Sequence, residues 1–239
     1  MQAMFNIHSI YNQVFRIWRA KRFTKFLEVL RPTKEDVLLD VGGYPWFWTS
    51  HEQPVAKIDA INIHPVFWSP EKFPNHQVNT LVGDGCALAF PDHSYDIGFS
   101  NSVIEHVGSW EQQQCFASEI RRVARALWVQ TPAYECPFEP HYMAPFIHYL
   151  PVGLQKKLVR WITPWGWLTK PGKAEIDAMV ETTRLLTHNE MKELFPDCEI
   201  FVERLLGLPK SYIAIRRSQK ERSLTYPRRP SQPNQDNLI

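Results

Sequence analysis

Residues 38–48 have the sequence LLDVGGYPWFW, in which three apolar residues and the acid Asp40 precede the pair Gly42 and Gly43. Val37–Val41 is predicted to be a strand buried on both faces, because every side chain in it except that of Asp40 is apolar. A strand of this kind is typical of a parallel sheet covered by helices. In such sheets, ligands bind outside the carboxyl ends of the strands. The turn at Gly42 and Gly43 is therefore a candidate ligand site.

The residues after this turn do not suit a diphosphate ligand. In a dinucleotide site, spaced glycines bring backbone amides close to the pyrophosphate. Here Tyr44, Pro45 and Trp46 follow the glycine pair. Pro45 has no N–H to donate, the two rings block close approach, and Asp40 would repel a phosphate. A nicotinamide-dependent oxidoreductase is thus a poor match to this loop.

A ligand with an ammonium group, a ribose and an adenine, but no phosphate, suits the same loop better. Asp40 can accept a hydrogen bond from the ammonium group or hold the loop. Gly42 and Gly43 permit a tight turn beside the ligand. The neighbouring aromatic rings are compatible with a sulfonium cation. S-adenosylmethionine meets this description, and we expect it to be the cofactor.

Further predicted strands and helices alternate along the chain. The predicted strands are 56–63, 77–82, 95–100 and 127–130, and a surface helix is predicted over 111–126. This alternation indicates an α/β fold with a parallel sheet built from right-handed crossovers. A helix near 187–194 and two strands, 199–204 and 211–215, follow. The short link at 207–210 predicts that these last strands form an antiparallel hairpin.

Residues 83–107, GDGCALAFPDHSYDIGFSNSVIEHV, carry a resemblance to a known family. Over residues 36–132 the sequence resembles the class I S-adenosylmethionine-dependent methyltransferases, particularly the type 11 branch. The resemblance implies a Rossmann-like fold, with a mostly parallel seven-stranded sheet and an antiparallel C-terminal hairpin. It also implies that Asp84 lies near the adenine and that the segment 100–106 lines the cofactor pocket.

The chain departs from the family pattern at two places. Of the three alternating glycines, only Gly42 keeps its position, and Gly43 is added. Asn62 stands where an acid usually binds both ribose hydroxyls, and an amide can bond a diol only without charge assistance. The predicted cofactor-binding residues are Asp40, Gly42, Gly43, Asn62, Asp84, Gly85, Cys86, Asn101 and Ser102.

Regular alternation stops over residues 133–181, which are predicted to be an insertion that forms an acceptor lid. Within it, prolines flank Glu139 and His141, and Tyr142 follows; these three are the predicted substrate contacts. His141 and His106 are the candidate catalytic residues, because the imidazole pKa suits deprotonation of a hydroxyl. A rigid lid whose polar groups bond the backbone is the alternative. No group of residues has the sequence spacing of a metal site, so no metal is predicted.

The domain organisation follows from these segments. Residues 1–32 are predicted to be an N-terminal amphipathic helical segment, 33–216 the methyltransferase domain, and 217–239 a disordered tail. The stretch 154–170 alternates basic residues with tryptophans. It is compatible with packing in the lid and also with docking on a membrane surface or a lipid-linked acceptor.

Composition limits the partners and the location. A net charge of +2 argues against nucleic acid as the main partner. The four cysteines form no CxxC pair, which favours reduced thiols and a cytoplasmic location. The N-terminus lacks the pattern of a signal peptide, and no apolar run reaches the roughly 20 residues of a membrane-spanning helix. Peripheral contact with a membrane through 154–170 stays open, and the oligomeric state is not determined.

The function that these features favour is methyl transfer from S-adenosylmethionine to a hydroxyl. A glycan, a lipid-linked sugar and a small metabolite are all compatible acceptors. A non-catalytic module that keeps the methyltransferase fold is the main alternative, since Asn62 and the altered glycine loop could weaken cofactor binding. A nicotinamide-dependent oxidoreductase is the second alternative, opposed by Pro45.

Overall fold

The computed structural model describes the backbone of residues 7–218 and the side chains of residues 18–218. Its strands are β1 (Val37–Val41), β2 (Lys57–Asn62), β3 (Val78–Val82), β4 (Tyr95–Asn101), β5 (Ala124–Pro132), β6 (Phe138–Glu139), β7 (Ala144–Pro145), β8 (Glu199–Leu205) and β9 (Leu208–Arg216). Its helices are α1 (Ile7–Leu30), α2 (Pro45–Thr49), α3 (Trp110–Val123), α4 (Val152–Ile162), α5 (Pro164–Thr169), α6 (Lys173–Thr182) and α7 (His188–Leu194). None of these described helices is long and apolar enough to cross a membrane.

Seven of the strands form one sheet in the order β3-β2-β1-β4-β5-β9-β8. The first five in this order are parallel to one another. Strand β9 runs antiparallel to β5, and β8 runs antiparallel to β9. The predicted fold class is confirmed. All parallel strands end at the same edge, so the loops that follow β1, β2, β3, β4 and β5 share that edge.

Helices cover both faces of the sheet. On one face, α3 and α7 contribute Phe116, Ile120 and Met191 to a buried apolar cluster with the central strands. On the other face, α1 and α2 contribute Phe26 and Trp48 to a second cluster. The first cluster orients α3 above β4 and β5, and the second fixes α1 beside the carboxyl edge of the sheet. Within residues 1–32, predicted to be helical, the structure describes one helix, Ile7–Leu30.

Two predicted boundaries are wrong. The helix predicted over 111–126 ends at Val123, because Ala124 and Ala126 pair with β4 and lengthen β5 at its start. Pairing with a buried strand outweighs the helical pattern of these small residues. The last hairpin is also tighter than predicted, since β9 begins at Leu208 and the turn is formed by Leu206 and Gly207. Both have positive φ, as a two-residue hairpin turn requires.

The segment 133–181 has its own small core. Strands β6 and β7 form a separate hairpin, and α4, α5 and α6 follow it. Buried side chains of this segment cluster together, among them Tyr142, Ile147, Val159 and Ile176. The tail predicted over 217–239 lies outside the described residues from 219 onward.

Candidate active site

The carboxyl ends of β1, β4 and β5 open into a cavity of about 1180 Å³. Part of the predicted cofactor set lines it, namely Asp40, Gly42, Gly43, Asn101 and Ser102. Helix α1 closes one side with Trp18 and Arg22, and residues of the 133–181 segment close another with Phe138, Pro140 and Met143. The structure thus brings the end of the sheet, the N-terminal helix and the insertion around one space.

Asp40 holds the first turn and also faces the cavity. Its side chain is buried, and its Oδ2 accepts a hydrogen bond of 2.7 Å from Trp48 Nε1. Its Oδ1 is buried and has no hydrogen-bond partner among the described residues. Burial raises the pKa of Asp40 to about 7, although the Trp48 bond opposes the shift. One carboxylate oxygen therefore holds the loop, and the other is buried without a partner among the described residues.

The aromatic residues that replace the usual glycines have separate tasks. Trp48 anchors Asp40 from within the core, where it is fully buried. Tyr44 and Trp46 are exposed and stack on each other with ring centroids 4.6 Å apart. Both also line the large cavity. The loop that the sequence shows as unsuited to phosphate is thus an aromatic wall of the pocket.

Both glycines of the turn are required by their surroundings. Gly42 has φ +80°, and a Cβ there would lie 2.5 Å from a methyl group of Val103. Its N–H donates to the carbonyl of Ile61 over 2.8 Å. A Cβ at Gly43 would overlap the Asp40 carboxylate. The amide of Asn62 donates to the Gly43 carbonyl over 2.7 Å, so Asn62 supports the turn from β2.

The rest of the predicted cofactor set lies beside the cavity and not in its lining. Asn62 ends β2, and Asp84, Gly85 and Cys86 follow β3. Asp84 is exposed, and its Oδ1 accepts a 2.8 Å hydrogen bond from the Cys86 amide. Burial raises the pKa of the Cys86 thiol to about 11, so Cys86 is not a reactive thiolate. The adenine and ribose contacts of these residues remain predictions.

Arg22 is a polar residue of the cavity that sequence reasoning missed. Its guanidinium donates to Asn101 Oδ1 over 2.7 Å and to Gln130 Oε1 over 2.8 Å. It also pairs with Glu203 across two hydrogen bonds of 3.2 and 2.7 Å. Ser102 donates to the same Gln130 oxygen over 3.0 Å. Arg22 lies in the basic stretch RIWRAKRF, which has no local feature that singles it out.

The predicted substrate contacts form a chain of hydrogen bonds. Glu139 is buried, and its Oε1 accepts from His141 Nδ1 over 2.6 Å while its Oε2 accepts from the Tyr142 amide over 2.7 Å. His141 Nε2 lies 3.1 Å from His106 Nε2, with the rings nearly perpendicular. Burial lowers the pKa of His141, but the hydrogen bond to Glu139 and the charges of Glu139 and Glu105 together outweigh burial, so the net shift is upward. Burial and the neighbouring His141 both lower the pKa of His106.

Glu105 adjoins this chain. Its side chain is fully buried, and its Oε2 accepts from Thr131 Oγ1 over 2.9 Å. Within residues 7–218, nothing hydrogen-bonds to its buried Oε1. Burial raises the pKa of Glu105 to about 6, against the lowering effect of His141. A carboxylate oxygen of Glu105 and ring nitrogens of His106 and His141 all lie within 4.8 Å of one another.

This arrangement bears on the absence of a metal, which stays a prediction. Sequence spacing predicts no metal site, because Glu105 and His106 are adjacent and His141 is 35 residues further along. In space, the three side chains form a group of metal-ligating atoms. The spacing rule missed them because the segments after β4 and β5 meet only in the folded sheet.

Glu139 and Tyr142 line a second, smaller cavity of about 340 Å³ with His148 and Arg184. Tyr142 is buried and packs near Trp165 within the insertion. Neither residue lines the large cavity, whereas Pro140 and Met143 of the same loop do. Of the three predicted substrate contacts, Glu139 and Tyr142 therefore line the smaller cavity, and His141 lines neither cavity.

Comparisons with known proteins agree with this architecture. Residues 39–126 match a family model of type 11, described as a methyltransferase domain. Magnesium protoporphyrin IX methyltransferase from Synechocystis PCC 6803, solved with bound SAH, shares 12% identity over 90% of each chain, with a TM-score of 0.51. Geranyl diphosphate C-methyltransferase from Streptomyces coelicolor A3(2) shares 12% identity over 83% of this chain and 80% of that one, with a TM-score of 0.50. No curated protein matches the sequence.

The family match covers the strands and loops that build the carboxyl edge, and the two solved structures share the fold. Residues 39–126 match a methyltransferase domain, and the protein is an S-adenosylmethionine-dependent methyltransferase with the class I fold. This confirms the class of enzyme and the cofactor that the sequence predicts. The acceptor is not identified by these comparisons.

Proposed function

We propose that the protein transfers the methyl group of S-adenosylmethionine to a hydroxyl of an amphiphilic acceptor, a lipid-linked sugar being the class that fits best. The observation that carries the proposal is the unpartnered Oδ1 of Asp40, buried at the end of β1 on the large cavity. An ionised carboxylate oxygen without a partner is costly in a protein interior. An ammonium group of a bound ligand would satisfy it.

The residues present fit the cofactor at three places. The Gly42–Gly43 turn lies on the cavity, and it needs glycines because a Cβ would meet Val103 or the Asp40 carboxylate. Asp40 would hold the ammonium group, and Asn101 and Ser102 lie on the same cavity at the end of β4. We propose that Asn62, Asp84, Gly85 and Cys86 contact the ribose and adenine at the ends of the adjoining strands. These assignments rest on strand order and on the family resemblance.

The cavity is large and mostly apolar. At about 1180 Å³ it exceeds the usual range of roughly 300–1,000 Å³ for a single small ligand, which leaves room for cofactor and acceptor together. Its walls include Trp18, Phe47, Phe99, Phe138 and Met143. Such walls suit an acceptor with an apolar part. A free glycan or a small polar metabolite would leave much of this surface without matched contacts.

Methyl transfer makes modest chemical demands on the protein. Bound S-adenosylmethionine would supply the methyl group. The C–S bond would break with its electron pair going to sulfur as the acceptor oxygen bonded the methyl carbon, which would give S-adenosylhomocysteine, the methyl ether and a released proton. Because the sulfonium sulfur is positively charged, the thioether is a good leaving group. The rate therefore depends mainly on alignment of the acceptor with the methyl group and on exclusion of water. The cavity walls would supply both.

His141 and His106 are the proposed acceptor-side catalytic residues. The pair would position the acceptor hydroxyl, and Glu139 fixes the orientation of His141. Pro140, the neighbour of His141 in the chain, lines the large cavity. We propose that residues 133–181 act as the acceptor lid of a methyltransferase domain that spans 33–216.

The surface of α4 and α5 supports a lipid-linked acceptor. Trp161, Ile162, Trp167 and Leu168 are exposed together there. Lys157 in α4 and Lys170, directly after α5, are also exposed and would complement anionic headgroups. Pro164, at the junction of the two helices, lines the large cavity. We propose that this surface contacts an anionic membrane while the acceptor headgroup enters the cavity.

Calorimetry with S-adenosylmethionine, S-adenosylhomocysteine and NAD tests the proposal. Both methionine-derived ligands should bind, and Asp40→Asn should weaken the binding of each. Binding of NAD alone would favour the oxidoreductase alternative. Failure of all three ligands to bind folded protein at millimolar concentration would leave the non-catalytic module. Transfer of labelled methyl into a lipid extract, compared with a water-soluble extract, then tests the acceptor class.

A further inference from the structure

The side chains of Glu105, His106 and His141 meet between the loop after β4 and the insertion, outside the lining of both cavities. We propose that these three residues bind a divalent transition-metal ion, and that Glu139 holds His141 in the orientation that binding requires. The proposed use of the ion in catalysis rests on the proposed function; the binding of the ion does not.

The two histidines present the same ring atom to each other. His106 Nε2 and His141 Nε2 are 3.1 Å apart. Two nitrogens that bind one tetrahedral zinc ion at about 2.0–2.1 Å are separated by roughly 3.3 Å. A hydrogen bond between the rings would have a similar length. The histidine pair alone therefore fits both a shared proton and a shared metal ion, and the neighbouring carboxylate decides between them.

Glu105 favours the metal ion. Its side chain is fully buried, and one of its oxygens is satisfied by Thr131. The other oxygen is buried and lacks a hydrogen-bond partner in the described part of the chain. A hydrogen bond between His106 and His141 would leave this oxygen unsatisfied. An ion bound by the two ring nitrogens would lie within reach of the Glu105 carboxylate, since the three ligating atoms lie within 4.8 Å of one another.

Glu139 is positioned like the carboxylates that do not bind the metal themselves but orient a metal-binding histidine. It accepts from His141 Nδ1 over 2.6 Å, which leaves the Nε2 lone pair of His141 directed toward His106. It is itself buried and held by the Tyr142 amide. Metal-bound histidines commonly donate their second ring nitrogen to a carboxylate in this way, and the partner orients the ring. Glu139 is a positioning residue in this scheme.

The donor set indicates the kind of ion and its use. Two imidazoles and one carboxylate suit zinc or a similar transition metal better than magnesium, which prefers oxygen ligands. Three protein ligands leave a further position open, as in catalytic zinc sites. Pro140, next to His141, lines the large cavity, and an acceptor hydroxyl that reached the open position from there would lose its proton more readily and present its oxygen to the methyl carbon.

Metal binding is tested on the full chain with any affinity tag removed. The protein is stripped with a chelator and titrated with Zn²⁺ by calorimetry, and the bound metal is counted by mass spectrometry after desalting. Co²⁺ is added separately, because its visible absorption reports coordination by nitrogen and oxygen. We expect about one ion per chain with a tetrahedral or five-coordinate Co²⁺ spectrum, as for other three-ligand sites.

Four variants and one control locate the ion. His106→Ala, His141→Ala and Glu105→Gln should each weaken Zn²⁺ binding at least 100-fold, and Glu139→Gln by about 10- to 100-fold, the usual effect of an outer partner. His93→Ala removes an exposed histidine just before β4 and should bind Zn²⁺ like the wild type. Circular dichroism melts identify any variant that fails to fold, and Glu105→Gln and Glu139→Gln preserve side-chain shape.

Two results would overturn the metal site. The first is folded wild type that binds no Zn²⁺ or Co²⁺ at micromolar concentration. The second is binding that the His106 and His141 variants retain, or that the His93 control loses equally. Titration of S-adenosylmethionine into chelator-treated protein is kept separate. If the wild type binds S-adenosylmethionine but no metal ion, only this inference is refuted. If it binds a metal ion but no S-adenosylmethionine, the proposed function is refuted.

Discussion

The carboxylate of Asp40 occupies the space in which a Cβ of Gly43 would lie. Asp40 in β1 and the second glycine of the turn are thus one structural unit, and the Trp48 indole donates to the carboxylate oxygen nearest to Gly43. In the sequence Asp40 and Gly43 are three residues apart, and the pattern indicates a ligand-binding acid and an additional glycine with no evident connection. In the structure, the Asp40 carboxylate can be buried there only because residue 43 has no side chain.

Gly43→Ala should therefore be destabilising. Its methyl group would overlap the Asp40 carboxylate, and overpacking of this kind typically reduces the free energy of unfolding by about 1–3 kcal/mol. S-adenosylmethionine binding should fall as well, because Asp40 must shift. Gly153→Ala is the matched control, since a Cβ there meets nothing within 4 Å and the residue lies in α4. Urea unfolding of both variants checks the prediction, and equal stability of the two would contradict it.

Asp40 should make stability depend on pH. Its folded pKa is raised to about 7 from 3.8, so the native state holds this proton more tightly than the unfolded state. The associated stability is fully present below about pH 4 and is lost as the pH rises toward about 7. The upper bound is about 4 kcal/mol at 1.36 kcal/mol per pKa unit. Asp40→Asn should remove this part of the pH profile, as measured by urea unfolding between pH 4 and 8.

The same group should make cofactor binding depend on pH with the opposite sign. An ammonium group beside Oδ1 favours the ionised carboxylate, so affinity for S-adenosylmethionine should rise as the pH passes through about 7. Asp40→Asn should weaken binding at pH 8 by about 1.5–3 kcal/mol, the usual worth of a hydrogen bond to a charged group. Calorimetry at pH 6 and pH 8 measures the effect. An affinity that is the same in both proteins at pH 8 would remove Asp40 from the cofactor site.

Arg22 should couple the N-terminal helix to the cavity. Arg22→Met leaves the Glu203 carboxylate buried without its main partner, and loss of one member of a buried pair costs about 3–5 kcal/mol. Adding Glu203→Gln should recover much of that loss, because the unpaired charge is gone. Denaturant unfolding of both single variants and the double variant measures the coupling energy. If the loss of unfolding free energy in the double variant equals the sum of the losses in the two single variants, Arg22 and Glu203 are not coupled and the prediction is wrong.

The variant Asn62→Asp distinguishes two roles of Asn62, support of the glycine turn and contact with the ribose. By side-chain chemistry alone, a carboxylate binds a ribose diol more strongly than an amide does. In the structure, however, the Asn62 amide donates to the Gly43 carbonyl, and a carboxylate would place two acceptors together. We expect Asn62→Asp to lower stability by about 1–2 kcal/mol and to weaken cofactor binding. Thermal melts and calorimetry check this, with Asn62→Ala for comparison. Tighter binding by Asn62→Asp would show that the ribose contact outweighs the turn.

The exposed surface of α4 and α5 should bind anionic vesicles. Replacing both Trp161 and Trp167 with alanine should reduce co-sedimentation with phosphatidylglycerol vesicles at least tenfold, because these rings are the largest exposed apolar groups there. Phe67→Ala is the control, since Phe67 is 99% exposed but lies in the loop after β2. Equal loss in the control, or equal binding of the wild type to neutral vesicles, would argue against the proposed membrane contact.

Much of the fold was predictable because its signals are local. Buried strands appear as short apolar runs, and polar or glycine residues mark their ends. The two wrong boundaries arise where that local signal is weak. Ala124 and Ala126 suit a helix, yet they pair with β4, and register with a neighbouring strand is not encoded in the run itself.

The sequence by itself determined the α/β fold, the class of enzyme and the Asp40–Gly42–Gly43 turn, since each depends on residues that are adjacent in the chain. Only the tertiary structure decided which distant side chains meet. Arg22 reaches Asn101 and Glu203 because α1 packs beside the carboxyl edge of the sheet. His106 faces His141 because the loops after β4 and β5 leave the same edge. Strand order creates these contacts, and it is set by packing of the whole core.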